Sequence, residues 1–336
     1  MTNNERKWIF YVTLSENMWF NKKDSMVFQD EAWDLLLPAA AEHGFNTILL
    51  DVGDGVRYNS HPELAISNSK SRYWVKEQMK KAADLGLRIV PRVNFSATHD
   101  AWLGEYAYMV STKPYYNVCR DVILEVCEIF DCPDFISLCM DEEDEDHVKG
   151  KEGDITIIRQ GNLFWHDLQF LFDCTREAGA TPWIAADALF TNPEEFPKHM
   201  GVDDMFISPW YYNALREEHY TRIDSRQITI DYYNQPKYKW MNLTYVEEDP
   251  FLVRFREQAL PNAKKGYKYI PGLSPCNQCP WCEQDVMEYF STNAPESIAG
   301  FYEAPWAGFT TMQSLEKQYV AMERFQKAKD MFFPKG

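Results

Sequence analysis

Residues 135–146 read F-I-S-L-C-M-D-E-E-D-E-D, and this stretch decides how the rest of the chain is interpreted. Positions 135–140 are apolar or small, which predicts a strand buried on both faces, as in a parallel sheet covered by helices. Six acidic residues follow without a break, from Asp141 to Asp146. Like charges repel one another and gain nothing from burial, so the first of them need a reason to lie at the mouth of a core strand.

Two interpretations of this strand end are open. The acidic run is a solvated turn, or Asp141 and Glu142 form a catalytic pair at the carboxyl end of a barrel strand. In the second case the charge of one carboxylate keeps its neighbour protonated, so that the neighbour can act as an acid. The ends of the other strands distinguish the two interpretations.

The order of predicted elements is a regular alternation of strands and helices. We predict strands at 8–15, 46–52, 88–95, 135–140, 181–186, 205–208, 267–273 and 298–302. Amphipathic spacing predicts helices at 28–43, 71–85, 113–130, 158–178, 249–259 and 312–331. Residues 214–261 are the least regular part. The α/β alternation predicts a single (β/α)8 barrel, a TIM barrel, that covers residues 1–336 as one domain.

Composition restricts the class of partner. A formal net charge of −17 argues against nucleic acid and against an anionic membrane surface, because both would be repelled. The chain is rich in aromatic residues, at 15%, and flat rings beside carboxylates are typical of carbohydrate-binding clefts. No apolar run is long enough to span a membrane, and the start has no features of a secretion signal, so we expect a cytoplasmic protein. A trimmed exported protein would look the same.

Polar and aromatic residues collect where the predicted strands end. In a barrel, loops at the carboxyl ends of the strands build the site. The residues that we predict to bind substrate are Asp51, Asn94, His99, Asp100, Asp187, Trp210, Tyr211, Glu303 and Trp306. Structural roles stay open for several of them: Asp51 and the nearby Asp54 lie in a Gly-rich turn, where Asp often caps the backbone. His99 and Asp100 can form an acid-base pair, although a single His in a long loop is more often a hydrogen-bonded scaffold residue, and the aromatic residues can belong to the core.

The eight cysteines suit reduced, buried thiols better than a disulfide framework. One group differs, the C-N-Q-C-P-W-C segment with Cys276, Cys279 and Cys282. A structural zinc site needs four ligands, and the sequence offers no evident fourth. A local loop with incidental thiols is the favoured interpretation, and we expect neither a metal nor a cofactor.

The M-D-E sequence at 140–142 resembles the Gly-Asp-Glu strand ending of the beta-N-acetylhexosaminidase family. This resemblance implies that Glu142 is the general acid/base and that Asp141 orients the substrate's own 2-acetamido group, which is the nucleophile. It also implies that Trp210, Tyr211, Glu303 and Trp306 wall the sugar pocket. The whole chain is similar to bacterial barrel proteins related to glycoside hydrolases, which share the strand-three loop and the M-D-E-E ending.

Other functions fit the same residues. Without an acetamido group, another carboxylate such as Asp187 or Glu303 must act as nucleophile or base, because strand seven carries no carboxylate. A metal-dependent sugar isomerase or epimerase would surround a divalent cation with oxygen and nitrogen ligands. Its predicted ligands are Asp51, His99, Asp141, Asp187 and Glu303. A barrel that binds carbohydrate without cleaving it has the same composition.

Overall fold

The computed structural model describes residues 6–18, 23–143, 155–216, 250–275, 279–306 and 310–334. The end of the acidic run, residues 144–146, and Cys276 lie outside these ranges.

Nine short parallel strands form one curled sheet in the order β7-β6-β5-β4-β3-β2-β1-β9-β8. In chain order they are β1 (Lys7–Thr13), β2 (Thr47–Asp51), β3 (Arg88–Arg92), β4 (Phe135–Cys139), β5 (Thr181–Ala185), β6 (Phe206–Ser208), β7 (Lys268–Tyr269), β8 (Gly272–Leu273) and β9 (Gly300–Glu303).

The run 268–273 closes the sheet into a barrel. Its first half, β7, pairs with β6, and its second half, β8, pairs with β9. Between the halves, the Ile270 N–H donates to Ile207 O at 2.9 Å, and the Tyr302 N–H donates to Pro271 O at 3.0 Å. The two halves are therefore one interrupted seventh strand that bonds to neighbours on both sides. The predicted α/β class and eight-stranded barrel are confirmed.

The helices lie between the strands and cover the outside of the barrel. They are α1 (Asp30–Glu42), α2 (Arg72–Asp84), α3 (Lys113–Ile129), α4 (Asn162–Glu177), α5 (Asp187–Thr191), α6 (Phe196–His199), α7 (Pro250–Lys264), α8 (Cys282–Asn293) and α9 (Leu315–Phe332). Within the described ranges, no helix combines the length and apolar character that a membrane span requires.

One full-length helix is not among the predictions. Helix α8 begins at Cys282 itself, inside the segment that the sequence assigns to a cysteine loop, and completes the unit after the seventh strand. Its buried Val286, Met287 and Phe290 have helical spacing, which is the signal that indicates it.

Alternation along the strands separates two cores. Ile9, Tyr11, Leu49, Val90 and Tyr302 belong to the cluster that fills the barrel, whereas their sequence neighbours pack against the helices. Side chains two positions further along a strand point to the same side. The barrel interior at the carboxyl end of β2 and β3 is therefore occupied by the residues that follow Leu49 and Val90 at this spacing.

Candidate active site

His99 lies between the two carboxylates of the strand-four motif. Its Nδ1 is 3.5 Å from Asp141 Oδ1, and its Nε2 is 3.5 Å from Glu142 Oε2. The imidazole is almost fully buried, and Thr98 Oγ1 lies 2.9 Å from Nδ1. The loop after β3 thus delivers a histidine to the end of β4, and three groups that can hold or transfer protons meet at one point.

Asp141 is held as an anion. Its Oδ1 accepts hydrogen bonds from Asn94 Nδ2 at 3.1 Å and from Ser96 Oγ at 2.8 Å. Burial alone would raise the pKa of Asp141, but positive charge on His99 and Arg92, together with hydrogen bonds, lowers that pKa well below its usual range. Asp141 therefore accepts hydrogen bonds and stabilises positive charge, and it has no proton to donate at neutral pH.

The backbone around Glu142 is strained. Cys139, Met140 and Glu142 have φ values of +61°, +58° and +51°, in the left-handed region that residues other than glycine rarely adopt. Each such residue costs about 1–3 kcal/mol and persists only where its surroundings enforce it. One of the contacts that hold this backbone is the hydrogen bond from the Glu142 N–H to Asp187 Oδ1, at 3.2 Å.

An aromatic wall adjoins this cluster. Trp210 Nε1 donates to Asp187 Oδ2 at 2.8 Å, and the Trp210 ring stacks on Tyr212 with centroids 5.3 Å apart. Tyr212 in turn lies 6.4 Å from Trp306, whose ring is 4.9 Å from that of Tyr11. Trp210, Tyr212 and Trp306 are partly exposed, so this wall presents flat apolar ring faces.

Tyr211 has a different position from the one predicted. Its ring is buried in the helix-side core, 5.9 Å from the Phe255 ring, while the next residue, Tyr212, joins Trp210 in the wall. In an extended chain, the side chains of residues 210 and 212 point to one side, and the side chain of residue 211 points to the opposite side. The sequence prediction missed Tyr212, which this two-residue spacing indicates.

The floor of the barrel mouth contains an arginine that the sequence prediction also missed. The Arg92 guanidinium lies over the Tyr11 ring at 5.0 Å, and its Nε is 3.5 Å from Asp51 Oδ2. The Tyr11 hydroxyl donates to the same oxygen at 3.1 Å. Burial raises the pKa of Asp51 to about 6, although the charge of Arg92 opposes this shift. Val90 points into the barrel, and Arg92, two positions further along the same strand, therefore points to the same side.

Two predicted residues occupy other environments. Asp100 is buried at the start of the 3-10 segment Ala101–Met109. Burial raises the pKa of the nearby Tyr115, and the charge of Asp100 contributes to the same shift. Glu303 follows the inward-facing Tyr302 and is 0% exposed, and its side chain faces the helix layer and Glu283 of α8. Burial, and then the charge of Glu283, raise the pKa of Glu303 well above its usual range.

Asp54 serves as a backbone cap. Its Oδ1 accepts from the Ser15 hydroxyl at 3.0 Å and from the Glu16 N–H at 2.9 Å, and its Oδ2 accepts from Asn17 Nδ2 at 2.6 Å. This side chain therefore holds the loop after β1, as Asp in a Gly-rich turn often does.

Metal-binding capacity is concentrated at the same cluster. Within the part of the chain that the structure describes, His99, Asp141 and Glu142 form the one group of three potential ligands, with ligand atoms within 4.8 Å of one another. Cys279 and Cys282 are both buried, and Cys282 Sγ lies 3.5 Å from Tyr211 O.

Comparisons with known proteins identify the fold. No protein-family model and no curated protein matches the sequence. A GH20 catalytic module of a pneumococcal exo-beta-D-N-acetylglucosaminidase is similar in structure, with a TM-score of 0.60, 13% identity and coverage of 98% of this chain and 84% of that one. A beta-N-acetylhexosaminidase from Bacteroides fragilis gives a TM-score of 0.57 at 14% identity, over 95% of this chain and 65% of that one.

A further structural neighbour comes from Thermotoga maritima. Thermotoga maritima Cel5A, solved with a mannotriose substrate, gives a TM-score of 0.54 at 12% identity and covers 96% of this chain and 98% of that one. At these identities the similarity shows the fold alone, the (β/α)8 barrel. The chain spans about two thirds of the Bacteroides protein.

Proposed function

We propose that this protein is a glycoside hydrolase that cleaves a terminal sugar, with Glu142 as acid/base and Asp141 as its anionic partner. The observation that carries the proposal is the placement of His99, 3.5 Å from each carboxylate, at the carboxyl end of the barrel. This is where barrel enzymes carry their sites. The hexosaminidases among the structural neighbours favour a 2-acetamido sugar as the substrate.

The two carboxylates are suited to different tasks. Asp141 is ionised, so Glu142 is the group that protonates the glycosidic oxygen and later accepts a proton from the attacking water. An anionic Asp141 accepts the N–H of a 2-acetamido group and so turns the acetamido oxygen towards the anomeric carbon. The carbonyl oxygen then displaces the leaving group, which is retaining, substrate-assisted hydrolysis.

A substrate without the acetamido group would need a protein nucleophile or base. Asp187 is the predicted carboxylate that contacts Glu142, through the 3.2 Å hydrogen bond to the Glu142 N–H. Glu303 is buried on the helix side of β9. In this version of the proposal Asp187 takes the second role.

The test is hydrolysis of aryl glycosides with and without a 2-acetamido group, by wild type and by Glu142→Gln. Glu195→Gln, at a half-exposed position on the outer surface, is the control. We expect cleavage of acetamido sugars only, and a rate about 10²–10⁴ times lower in Glu142→Gln, the usual contribution of a general acid/base. Unchanged turnover in Glu142→Gln would refute the assignment.

A second candidate is a metal-dependent sugar isomerase or epimerase, which the 4.8 Å grouping of His99, Asp141 and Glu142 favours. This reaction needs a bound divalent cation, and these three side chains would supply its ligands. Metal analysis of the purified protein and loss of sugar interconversion with a chelator would support it. A carbohydrate-binding barrel would instead bind sugars and turn over none of them.

A further inference from the structure

The third carboxylate of the acidic run has a role different from the first two. The Glu143 side chain is 3% exposed and lies against Arg159, whose side chain is 0% exposed. Arg159 Nε donates to Glu143 Oε1 at 2.6 Å, and Nη2 donates to Oε2 at 2.5 Å. The backbone N–H groups of Arg159 and Ala97 donate to the same two oxygens, at 3.0 and 3.2 Å. Each oxygen of Glu143 therefore accepts two hydrogen bonds.

Arg159 also binds the loop after β3 and the helix layer. Its Nη2 donates to Phe95 O at 2.6 Å, and its Nη1 lies 3.9 Å from Asp167 Oδ2 on α4. Asp167 is itself buried and accepts from Ser111 Oγ at 2.6 Å. The Arg159 guanidinium is thus held from several directions, and its hydrogen bonds hold the Glu143 carboxylate in turn.

The two segments joined by this ion pair are the ones that carry the candidate site. Phe95 and Ala97 belong to the loop that delivers His99. Glu143 directly follows Glu142 at the end of β4. The position of Glu142 relative to His99 therefore depends on the contacts between Glu143, Arg159 and the loop after β3.

Backbone geometry makes this dependence strong. Glu142 has a φ of +51°, a conformation that the surrounding contacts must enforce. A buried ion pair adds little net stability, because desolvation offsets the attraction, yet its directional hydrogen bonds hold a particular geometry. The pair is thus better suited to orienting the strand end than to stabilising the fold.

We propose that Glu143 and Arg159 are positioning residues, which hold Glu142 at its working distance from His99. The inference rests on the proposed function, in which Glu142 is the acid/base. Neither side chain is solvent-accessible enough to meet a substrate, since both are at most 3% exposed. They act on the reaction only through the orientation of their neighbours.

The test compares Glu143→Gln and Arg159→Lys with wild type on an aryl glycoside that wild type cleaves. We expect kcat to fall on the order of 10²-fold, the cost of a displacement of about 1 Å, with KM changed less than about threefold. Glu125→Gln is the matched control, because Glu125 is a similarly buried carboxylate that accepts the N–H groups of Asn59 and Ser60 at 2.6 and 2.8 Å. This control keeps the wild-type kcat.

A variant that fails to fold is replaced by the double change Glu143→Leu with Arg159→Met, which removes both charges of the pair together. It is expected to show the same loss of kcat. A value of kcat per folded molecule equal to that of wild type in these variants would overturn the proposal.

A second measurement does not need turnover. The ring carbon and proton resonances of His99, assigned by their absence in His99→Gln, report on the neighbouring carboxylates. We expect these resonances to move in Glu143→Gln and Arg159→Lys and to stay in place in Glu125→Gln. If wild type cleaves no glycoside, the proposed function fails and the His99 resonances alone decide. Unmoved resonances then reject the positioning role, and shifted ones support it.

Discussion

Asp187 connects Trp210 to Glu142: the Trp210 indole donates to one of its carboxylate oxygens at 2.8 Å, and the Glu142 N–H donates to the other at 3.2 Å. The aromatic wall and the proposed acid/base are therefore held by the same side chain. Replacing Trp210 by Phe keeps a ring for stacking and removes only the donor.

We expect Trp210→Phe to lower kcat/KM about 10- to 150-fold, because a hydrogen bond to a charged group contributes about 1.5–3 kcal/mol. Trp74→Phe is the control, since the Trp74 indole donates to Asp30 at 3.0 Å on the protein surface. Steady-state kinetics on the best aryl glycoside compares the two. Equal effects of both changes would show that the Trp210 contact has no special role.

Tyr211 and Tyr212 are neighbours whose removal should have different consequences. Tyr211 is buried in the helix-side core, so Tyr211→Ala is expected to lower the free energy of unfolding by about 3–5 kcal/mol. Tyr212 stacks on Trp210, so Tyr212→Ala should mainly raise KM for a sugar substrate. Urea unfolding and kinetics of both variants separate the roles, and the opposite assignment of effects would contradict this placement of the rings.

Much of the fold is readable from the sequence, because buried strands and amphipathic helices alternate with few interruptions. Helix α8 is missed because its first turn contains Cys282, and the C-x2-C-x2-C spacing favours the prediction of a loop there. The β4 end is predicted correctly as a strand that runs into Asp141, because the change from apolar to acidic residues is abrupt.

The membership of the site is harder to predict, because the side on which a residue lies depends on strand parity. Glu303 is one position past the inward-facing Tyr302 and so faces the helices, while Arg92 is two positions past Val90 and faces the barrel. No local signal separates Glu143 from the two acids before it. Its partner Arg159 becomes evident only in three dimensions.

The buried pair Glu283 and Glu303 predicts that stability falls as the pH rises. Burial raises the pKa of Glu283 to about 7. Burial, and then the charge of Glu283, raise the pKa of Glu303 well above its usual value. In the unfolded chain both carboxyls ionise near their usual pKa of about 4.3. The folded state therefore binds more protons above that pH. The contribution of these two carboxyls to the free energy of unfolding is therefore fully present below their unfolded pKa, and it is lost as the pH rises through their folded pKa values.

The measurement is the urea midpoint at about pH 5 and about pH 8 for wild type and Glu283→Gln. Wild type should lose stability between the two pH values, partly through Asp51, whose raised pKa of about 6 acts in the same direction. Glu283→Gln should lose clearly less. Glu195→Gln serves as control, because the pKa of that exposed carboxyl is lowered and it stays ionised throughout. An identical pH dependence in Glu283→Gln and wild type would show that the pair is not the source.

Arg92 provides the last prediction, because its removal leaves Asp51 buried without its cation. The two side chains are 3% exposed each and 3.5 Å apart, and breaking such a pair costs about 3–5 kcal/mol. Arg88→Met is the control on the same strand: Arg88 pairs with Asp134 at 2.6 Å, but both side chains are 44% or more exposed, so this change should cost at most about 1 kcal/mol. Urea unfolding measures both.

The double change Arg92→Met with Asp51→Asn identifies the cause of that loss. It removes the unpaired charge along with the cation, so we expect it to recover much of the stability that Arg92→Met loses. The Tyr11 hydroxyl, which donates to Asp51 at 3.1 Å, keeps an acceptor in the asparagine. If the double variant is no more stable than Arg92→Met, the loss arises from the packing of the Arg92 guanidinium over the Tyr11 ring, 5.0 Å away, and the charge pair is not its source.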